Sequence, residues 1–270
     1  MFDCILVPLD GSPLAERALA LLPAIPCRRA LLVRATPDDD GASLARDYLA
    51  RIVAELAARR IVAEARALTG DPAERIVEAA AAADLIAMTS RGRGGGGQRL
   101  FGSVADRVAR HAPAPTLILR AGDDVALPAA DGRIVVPLDG SAVAMRAVTV
   151  ARLLGLSQRR PLHLVGVSAA ADDAAAGALA AHLAAVAAEL RADGLDAAVD
   201  TRRGEPAIEL LAAVRGGDLV VMTTHGASGG QRWRVGHVAE RMLRRSPAPV
   251  VLVRGDHAAA DSASPLRVGA

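Results

Sequence analysis

The sequence contains one long pattern twice, and this repeat constrains the fold more than any other feature. ILVPLDGS at residues 5–12 returns as IVVPLDGS at residues 134–141, and DLIAMT at 84–89 returns as DLVVMT at 218–223. Repeats of solenoid proteins span only roughly 20–50 residues. A copied segment of this length is therefore a whole domain, and the pattern predicts two similar domains in one chain.

The repeat and its surroundings predict where the domains lie. A chain of 270 residues has room for two domains of about 100–200 residues each. We predict the first domain over 1–121, a linker over 122–131 and the second domain over 132–254. The linker GDDVALPAAD contains Gly, Pro and acidic residues, as linkers commonly do. The Ala-, Ser- and Asp-containing stretch 255–270 is predicted to be a disordered tail.

Composition excludes several classes of protein. The net charge is only +2, which argues against a nucleic-acid-binding face. The two cysteines form neither a CxxC motif nor a disulfide framework. We find no secretory signal and no run of 18 apolar residues. We therefore expect a cytoplasmic protein that does not contact nucleic acid or membrane.

Short apolar runs alternate with longer amphipathic ones in both halves. Runs that are apolar on both faces are typical of parallel strands covered by helices on both sides. The order βαβαβαβαβ predicts an α/β fold with two doubly wound, five-stranded parallel sheets flanked by helices, Rossmann-like in architecture. The predicted strands are 4–9, 30–35, 61–69, 85–89 and 116–120, then 133–138, 162–168, 196–202, 219–223 and 250–254, with 61–69 as an edge strand.

Polar residues mark the predicted helix starts. Ser12 before Pro13 is an N-cap followed by Pro at the first helical position. Asp71, three residues before Glu74, has the spacing of a capping box. We further predict helices from Ser43 to about residue 59, from Ser103 to about 111, and over 174–192.

The end of the first strand is the first candidate site. Ligands of open parallel sheets bind beyond the carboxyl ends of the strands. A carboxylate there can accept hydrogen bonds from a ribose or an amine, and a following glycine permits a tight turn. The alternative is that the Asp only caps the next helix. The residues are Pro8, Leu9, Asp10, Gly11 and Ser12, and in the second copy Pro137, Leu138, Asp139, Gly140 and Ser141.

The second candidate site is the glycine-rich segment 89–103, TSRGRGGGGQRLFGS. Glycines let backbone N–H groups converge on an anion, and a helix N-terminus adds partial positive charge. The segment does not fit GxGxxG, and it lacks the Lys of a phosphate-binding P-loop. The alternative is a flexible surface loop without a ligand.

Together these segments resemble the universal stress protein family. The resemblance depends on VPLDGS, on GDP at 70–72, on Met-Thr at the fourth strand's end, on the glycine spacing and on HAPAPTLIL at 111–119. It covers nearly all of both halves. The nucleotide-binding branch of that family carries G-x-x-G, nine residues, then G-S or G-T.

The resemblance implies an adenine-nucleotide site in each half. Here the first Gly of the motif is replaced by Thr89 and by Thr223, and the Ser or Thr is replaced by His237 in the second half. Arg91 could reach phosphates. Besides the two strand ends, the implied binding residues are Ala35, Met88, Thr89, Arg91, Gly92, Gly102, Ser103 and Val104, then Val167, Met222, Thr223, Gly226, Gly236, His237 and Val238.

The function implied is a stress-response regulator that binds ATP or AMP, with or without Mg²⁺. The nucleotide would order the glycine-rich loop, and the ordered surface would bind an unknown protein partner. No catalytic residues and no metal site are predicted, since His225 and His237 are separated by a loop. The resemblance also implies an intrachain pseudo-dimer or a homodimer. The alternatives are a ligand-free structural or interaction protein and a slow ATPase.

Overall fold

The computed structural model describes residues 1–90, 102–122, 124–169, 171–225 and 235–255. Residues 1–121 form one compact unit, here called unit 1, and the described residues from Gly122 onward form unit 2. The tail predicted over 255–270 falls outside the described residues, apart from Gly255.

Unit 1 is a five-stranded parallel sheet with the strand order β3-β2-β1-β4-β5. The strands are β1 Phe2–Pro8, β2 Cys27–Thr36, β3 Ala63–Thr69, β4 Leu85–Ser90 and β5 Thr116–Arg120. The helices are α1 Pro13–Glu16, which continues as a 3₁₀ helix over Arg17–Ala24, α2 Asp39–Ala58, α3 Pro72–Ala79, followed by a 3₁₀ turn over Ala80–Ala82, and α4 Ser103–His111.

Unit 2 repeats this topology with the order β10-β9-β6-β7-β8, again all parallel. The strands are β6 Ile134–Pro137, β7 Leu162–Ser168, β8 Ala197–Arg203, β9 Leu219–Thr223 and β10 Val250–Val253. The helices are α5 Met145–Gln158, α6 Asp173–Ala192, α7 Pro206–Ala213 and α8 His237–Arg245. The predicted fold class, a doubly wound five-stranded parallel sheet in each half, is confirmed. The arrangement as a pseudo-dimer stays a prediction.

Burial follows the position of each strand in its sheet. In β1, every residue except Asp3 is buried. β3 has no buried residue at all, and in β8 only Ala197 is buried. Central parallel strands are covered on both faces, whereas edge strands are not. The weak alternation of 61–69 therefore predicted the edge strand correctly.

Three of the predicted helix starts, at Ser12, Asp71 and Ser103, are confirmed and one is wrong. Ser12 Oγ accepts a hydrogen bond from Ala15 N at 3.1 Å, and Asp71 Oδ1 accepts one from Glu74 N at 3.0 Å. The helix expected from Ser43 instead begins at Asp39, because Asp38 Oδ1 accepts a hydrogen bond from Gly41 N at 2.8 Å. The Asp38 carboxylate thereby satisfies a backbone N–H group in the first turn of the helix, as N-cap side chains do.

The predicted linker is hydrogen-bonded to unit 2. Ala126 N donates to Pro247 O at 3.1 Å, and Ala129 N donates to Gly217 O at 2.8 Å. The buried guanidinium of Arg160 donates to the carbonyls of Gly132 and Gly217 at 2.8 and 2.9 Å. From residue 126 onward, this segment is thus held on unit 2 rather than extending into solvent.

An aspartate at the start of β4, which is partly buried, and one at the start of β9, which is buried, hold the two sheets. Asp84 Oδ2 accepts hydrogen bonds from Asp3 N and Cys4 N at 2.7 and 3.0 Å. Its repeat counterpart Asp218 binds a guanidinium as well: Arg133 donates from N, Nε and Nη2 at 3.0, 3.2 and 2.7 Å. Arg215 N donates a fourth bond at 2.9 Å. Burial alone would raise the pKa of Asp218, but these bonds lower it below its ordinary value.

One helix in the described residues, α6, is long and apolar enough by length and composition to cross a membrane. It packs on β7 and β8 and buries Leu183, Val186, Ala187 and Leu190. A core helix meets the same criteria, so this is weak evidence for a membrane span.

Candidate functional site

Four segments of each unit meet at the carboxyl edge of its sheet. In unit 1 they are the turn after β1, the end of β2, the end of β4 and the start of α4. β1 lies between β2 and β4, so the crossovers diverge there and leave a crevice beyond the strand ends.

The crevice of unit 1 encloses a pocket of about 380 Å³. Its walls come from the strand-end turn, α1, β2, α3, β4 and the first turn of α4. The lining residues are Pro8, Leu9, Asp10, Ser12, Leu14, Ala15, Val33, Ala35, Pro72, Ile76, Met88, Thr89, Gly102, Ser103, Val104 and Ala105.

Most of the residues predicted for the first site line this pocket. Gly11 lies in the turn between two lining residues without lining the pocket itself. Arg91 and Gly92 fall outside the described residues. Their roles as nucleotide contacts stay predictions.

The turn after β1 separates the two roles that sequence left open for Asp10. The side-chain cap of α1 is Ser12. Asp10 accepts a hydrogen bond from Ser12 N through Oδ1 at 2.8 Å, which shapes the turn. Gly11 has φ +88°, a left-handed conformation that glycine adopts without strain. The exposed Asp10 carboxylate therefore stands at the pocket wall without capping the helix.

The opposite wall is the start of α4. Gly102 has φ +22° and ψ 144°, and no side chain in the described part of the chain caps the helix. A Cβ at Gly102 would meet no atom within 4 Å. The first turn of a helix carries unsatisfied N–H groups and partial positive charge. With the exposed Ser103 hydroxyl beside it, this wall suits an anion.

An ion pair fixes the distance between the two helices that frame the pocket. Arg107 on α4 donates to both carboxylate oxygens of Asp71, at 2.9 and 3.0 Å, and to Glu74 at 3.2 Å. In unit 2, Arg241 on α8 donates to Glu205 at 2.9 Å. Partly exposed pairs of this kind contribute up to about 1 kcal/mol, so their effect is mainly to set the register of the helices.

Arg34 is a neighbour of the site that sequence reasoning missed. Its guanidinium lies 3.1 Å from the point where a Cβ of Gly11 would stand. Arg34 also lies over the Tyr48 ring, 4.9 Å from its centroid, and Arg51 lies 5.3 Å from the same centroid. Burial raises the pKa of Tyr48 well above its ordinary value, so the ring is neutral. No sequence motif pairs Arg34 with Tyr48, since α2 brings them together.

Unit 2 has a corresponding pocket of about 360 Å³. Of the residues predicted for the second site, Gly140 and Ser141 do not line it, and Gly226 falls outside the described residues. The lining residues are Pro137, Leu138, Asp139, Ala144, Val165, Val167, Pro206, Leu210, Met222, Thr223, Thr224, His225, Gly236, His237, Val238 and Ala239.

The polar groups around the second pocket bind one another. Thr223 Oγ1 donates to His225 O at 2.7 Å. Gly236 N donates to Thr224 O at 2.7 Å. Ser141 Oγ donates to Asp139 Oδ1 at 2.6 Å. These bonds occur where the sequence repeat predicts ligand contacts.

Sequence reasoning also missed the wall formed by α3 and by α7. Pro72 and Ile76 line the first pocket, and Pro206 and Leu210 line the second. Each pair recurs at the fixed spacing of 134 residues. The sequence repeat could have predicted this wall, because it places an apolar residue one turn after the start of each of these helices.

Among the described residues, no group of three or more His, Cys, Asp or Glu side chains is placed to hold a metal ion. His163 lies 3.4 Å from Asp200. Burial lowers the pKa of His163 below its ordinary value, so the imidazole is held neutral. It does not line either pocket.

Comparison with known proteins links this geometry to one family. A sequence model described as the universal stress protein family matches residues 1–120 and 132–254. A Thermus aquaticus protein described as the universal stress protein in the QAH/OAS sulfhydrylase 3' region is 37% identical over 139 residues, which is 44% of this chain and 100% of that protein.

A solved structure shows the same fold. The crystal structure of a universal stress protein from Archaeoglobus fulgidus superposes with a TM-score of 0.75 at 23% identity, over 93% of this chain and 98% of the other. A universal stress protein crystallised in complex with cAMP matches 46% of this chain and 98% of its own, with 25% identity and a TM-score of 0.38. The first likeness shows a shared fold.

Proposed function

Since this chain belongs to the universal stress protein family, we propose that it is an adenine-nucleotide-binding regulatory module of the stress response. ATP or AMP occupies the pocket of unit 1. Binding orders the glycine-rich segment that follows β4, and the ordered surface recruits or releases a protein partner. The cost of ordering is taken from the binding free energy, so the affinity is moderate.

The observation that carries this proposal is the pocket of unit 1. It combines an apolar wall, one carboxylate and a helix start within about 380 Å³. Ligand pockets are commonly 300–1,000 Å³, largely apolar, with a few polar groups that fix orientation. A nucleotide needs these three features for its base, its ribose and its phosphates.

Each part of the nucleotide has a matching wall. The base packs against Val33, Ala35 and Met88, and the ribose hydroxyls donate to Asp10. The phosphates face Gly102 N–H and the Ser103 hydroxyl at the start of α4. A hydrogen bond to a charged acceptor contributes about 1.5–3 kcal/mol, so these two donors favour a phosphorylated ligand over a nucleoside. Mg²⁺ prefers phosphate and carboxylate oxygens, and Asp10 is the carboxylate lining this pocket in the described part of unit 1.

The first experiment denatures the purified protein and identifies the released compounds by chromatography, with the amount per chain. An adenine nucleotide that copurifies supports the proposal. If none is released, the protein is titrated with ATP and with AMP by calorimetry. No binding in either titration overturns the proposal.

Variants then test the site itself. Asp10→Ala and Gly102→Leu should weaken ATP binding by roughly 10-fold or more, the loss of one charge-assisted contact. Asp47→Ala is the matched control, since it removes an exposed carboxylate from α2 that does not line the pocket. Unchanged affinity in both pocket variants would exclude this site. Phosphate release proportional to protein concentration, and lost in Asp10→Ala, would establish the slow-ATPase alternative.

A second candidate function is a ligand-free interaction protein. Unit 2 favours it, because Thr223 and Gly236 use their donors internally. If unit 2 binds no adenine compound while unit 1 does, the chain combines one sensor domain with one interaction domain.

A further inference from the structure

A glycine precedes the helix at each pocket: Gly102 before α4 in unit 1 and Gly236 before α8 in unit 2. The two units differ in whether the backbone N–H group of this glycine is already hydrogen-bonded. In unit 1, β4 continues to Ser90, whose carbonyl accepts a hydrogen bond from Ala121 N at 2.9 Å. In unit 2, β9 ends one residue earlier, and the carbonyl of Thr224 accepts from Gly236 N at 2.7 Å. Gly102 N, the counterpart of Gly236 N, has no such partner among the described residues. It is therefore available to a ligand.

The glycine conformations follow from this difference. Gly102 has φ +22° and open space around its Cβ position. Gly236 has φ −62°, and a Cβ there would lie 3.1 Å from Thr224 O. The start of α8 is folded back onto the end of β9, whereas the start of α4 is open to its pocket.

The hydroxyl groups show the same contrast. Thr223 Oγ1 donates to His225 O at 2.7 Å, but Thr89 makes no side-chain hydrogen bond to the described residues. The Ser141 hydroxyl donates to Asp139 at 2.6 Å. The Ser12 hydroxyl donates to no described residue and only accepts from Ala15 N.

Charge at the strand-end turn differs as well. In unit 1 the Arg34 guanidinium lies 3.1 Å from the Cβ position of Gly11. In unit 2 the corresponding atom is apolar, since Leu179 Cδ1 lies 3.8 Å from the Cβ position of Gly140. Unit 1 thus has a fixed positive charge beside its pocket where unit 2 has a methyl group.

We infer that the two pockets select different forms of one ligand: unit 1 binds phosphorylated adenosine, and unit 2 binds the uncharged nucleoside adenosine in preference to ATP. This inference rests on the proposed function. An anionic phosphate that leaves water needs donors to replace its hydration, and in unit 2 the N–H group of Gly236 and the hydroxyls of Thr223 and Ser141 are already bonded internally. Unit 2, in which His237 stands where unit 1 has Ser103, therefore offers the phosphates fewer donors. It still offers Asp139 to a ribose and Val165, Val167 and Met222 to a base.

The test uses two full-length variants that each close one pocket. Ala35→Phe fills the pocket of unit 1, and Val167→Phe fills that of unit 2, because both residues line their pockets at equivalent strand ends. Each variant is titrated with adenosine, AMP and ATP by calorimetry at pH 8, where imidazoles are generally neutral. Circular dichroism and thermal unfolding against the wild type verify folding.

Val167→Phe, with unit 1 open, should bind ATP at least about 10-fold more tightly than adenosine. Ala35→Phe, with unit 2 open, should bind adenosine more tightly than ATP. If a variant does not fold, the wild type decides by stoichiometry: one ATP and two adenosines per chain are expected.

An equal preference for ATP in both variants, or two tightly bound ATP molecules per wild-type chain, would overturn the inference and leave the proposed function intact. No binding of any of the three compounds to the wild type would overturn the proposed function itself.

Discussion

The aspartate at the start of β9 should contribute far more to stability than its repeat counterpart in unit 1. The test replaces Asp218 by Asn, which keeps the shape and removes the charge. Asp218 accepts three hydrogen bonds from Arg133 and one from Arg215 N. An Asn at this position leaves its NH₂ group facing donors and leaves Arg133 without a counter-charge.

The structure gives the expected magnitude. The side chain of Asp218 is 4% exposed and that of Arg133 is 19% exposed. Removing one partner of a buried ion pair costs about 3–5 kcal/mol. Because Arg133 retains some contact with solvent, we expect about 3 kcal/mol. With roughly 3–4 °C per kcal/mol for a unit of this size, the unfolding temperature of unit 2 should fall by about 10 °C.

Asp84→Asn is the matched control. Its Oδ2 accepts from two backbone N–H groups, and an Asn oxygen can replace it by the same geometry. The expected loss is below about 1 kcal/mol. Differential scanning calorimetry at pH 7 measures both variants. Equal losses in the two variants would refute the argument that the guanidinium pair, rather than the backbone bonds, carries the difference.

The pH dependence gives a second check on the same residue. The pKa of Asp218 is lowered in the folded protein, so its stabilising contribution is present above the ordinary Asp value of about 3.9 and is lost as the pH falls through the folded value. The difference between wild type and Asp218→Asn should therefore be constant from about pH 7 to 5 and shrink below about pH 4. A difference that persists at acid pH would contradict this assignment.

Four further outcomes are expected. Ser103→Ala should weaken ATP binding by about 10- to 100-fold, the value of one hydrogen bond to a charged acceptor, measured by calorimetry. Gly132→Ala should destabilise unit 2 by at least about 2 kcal/mol in chemical unfolding, because a Cβ there would overlap the Gly217 carbonyl; Gly177→Ala, whose Cβ meets no atom within 4 Å, should instead stabilise α6 by about 0.5–1 kcal/mol. Burial lowers the pKa of His163, so acidification below about pH 6.5 should favour the unfolded state, and an NMR titration should give this imidazole a pKa below that of an ordinary histidine.

Much of the fold could be predicted from the sequence, because its main signals are local. Apolar runs such as 85–89 predict buried parallel strands, and Ser12 and Asp71 predict helix starts through the hydrogen bonds they accept. The wrong start at Ser43 shows the limit of local rules. Several residues in this stretch can cap a helix, and the backbone conformation of Asp38 decided which one does.

The sequence could predict which residues line the candidate site. It could not predict which of their hydrogen-bond donors are already bonded within the protein. The repeat identifies Asp10 and Asp139, or Gly102 and Gly236, as equivalent positions. It cannot show that Ser141 turns its hydroxyl onto Asp139, because both copies read LDGS.

The sequence by itself determined that the chain is a pair of α/β domains with one candidate site at the carboxyl edge of each sheet, because strand periodicity, caps and the repeat spacing are properties of neighbouring residues. The tertiary structure alone decided which edge has donors to offer. β4 extends one residue further than β9, and the N–H group of Gly236 is consequently bound to Thr224 O while that of Gly102 is not. A donor that is bonded to its own backbone is not open to a ligand, so equivalent positions of the two repeats can differ in the donors they leave open.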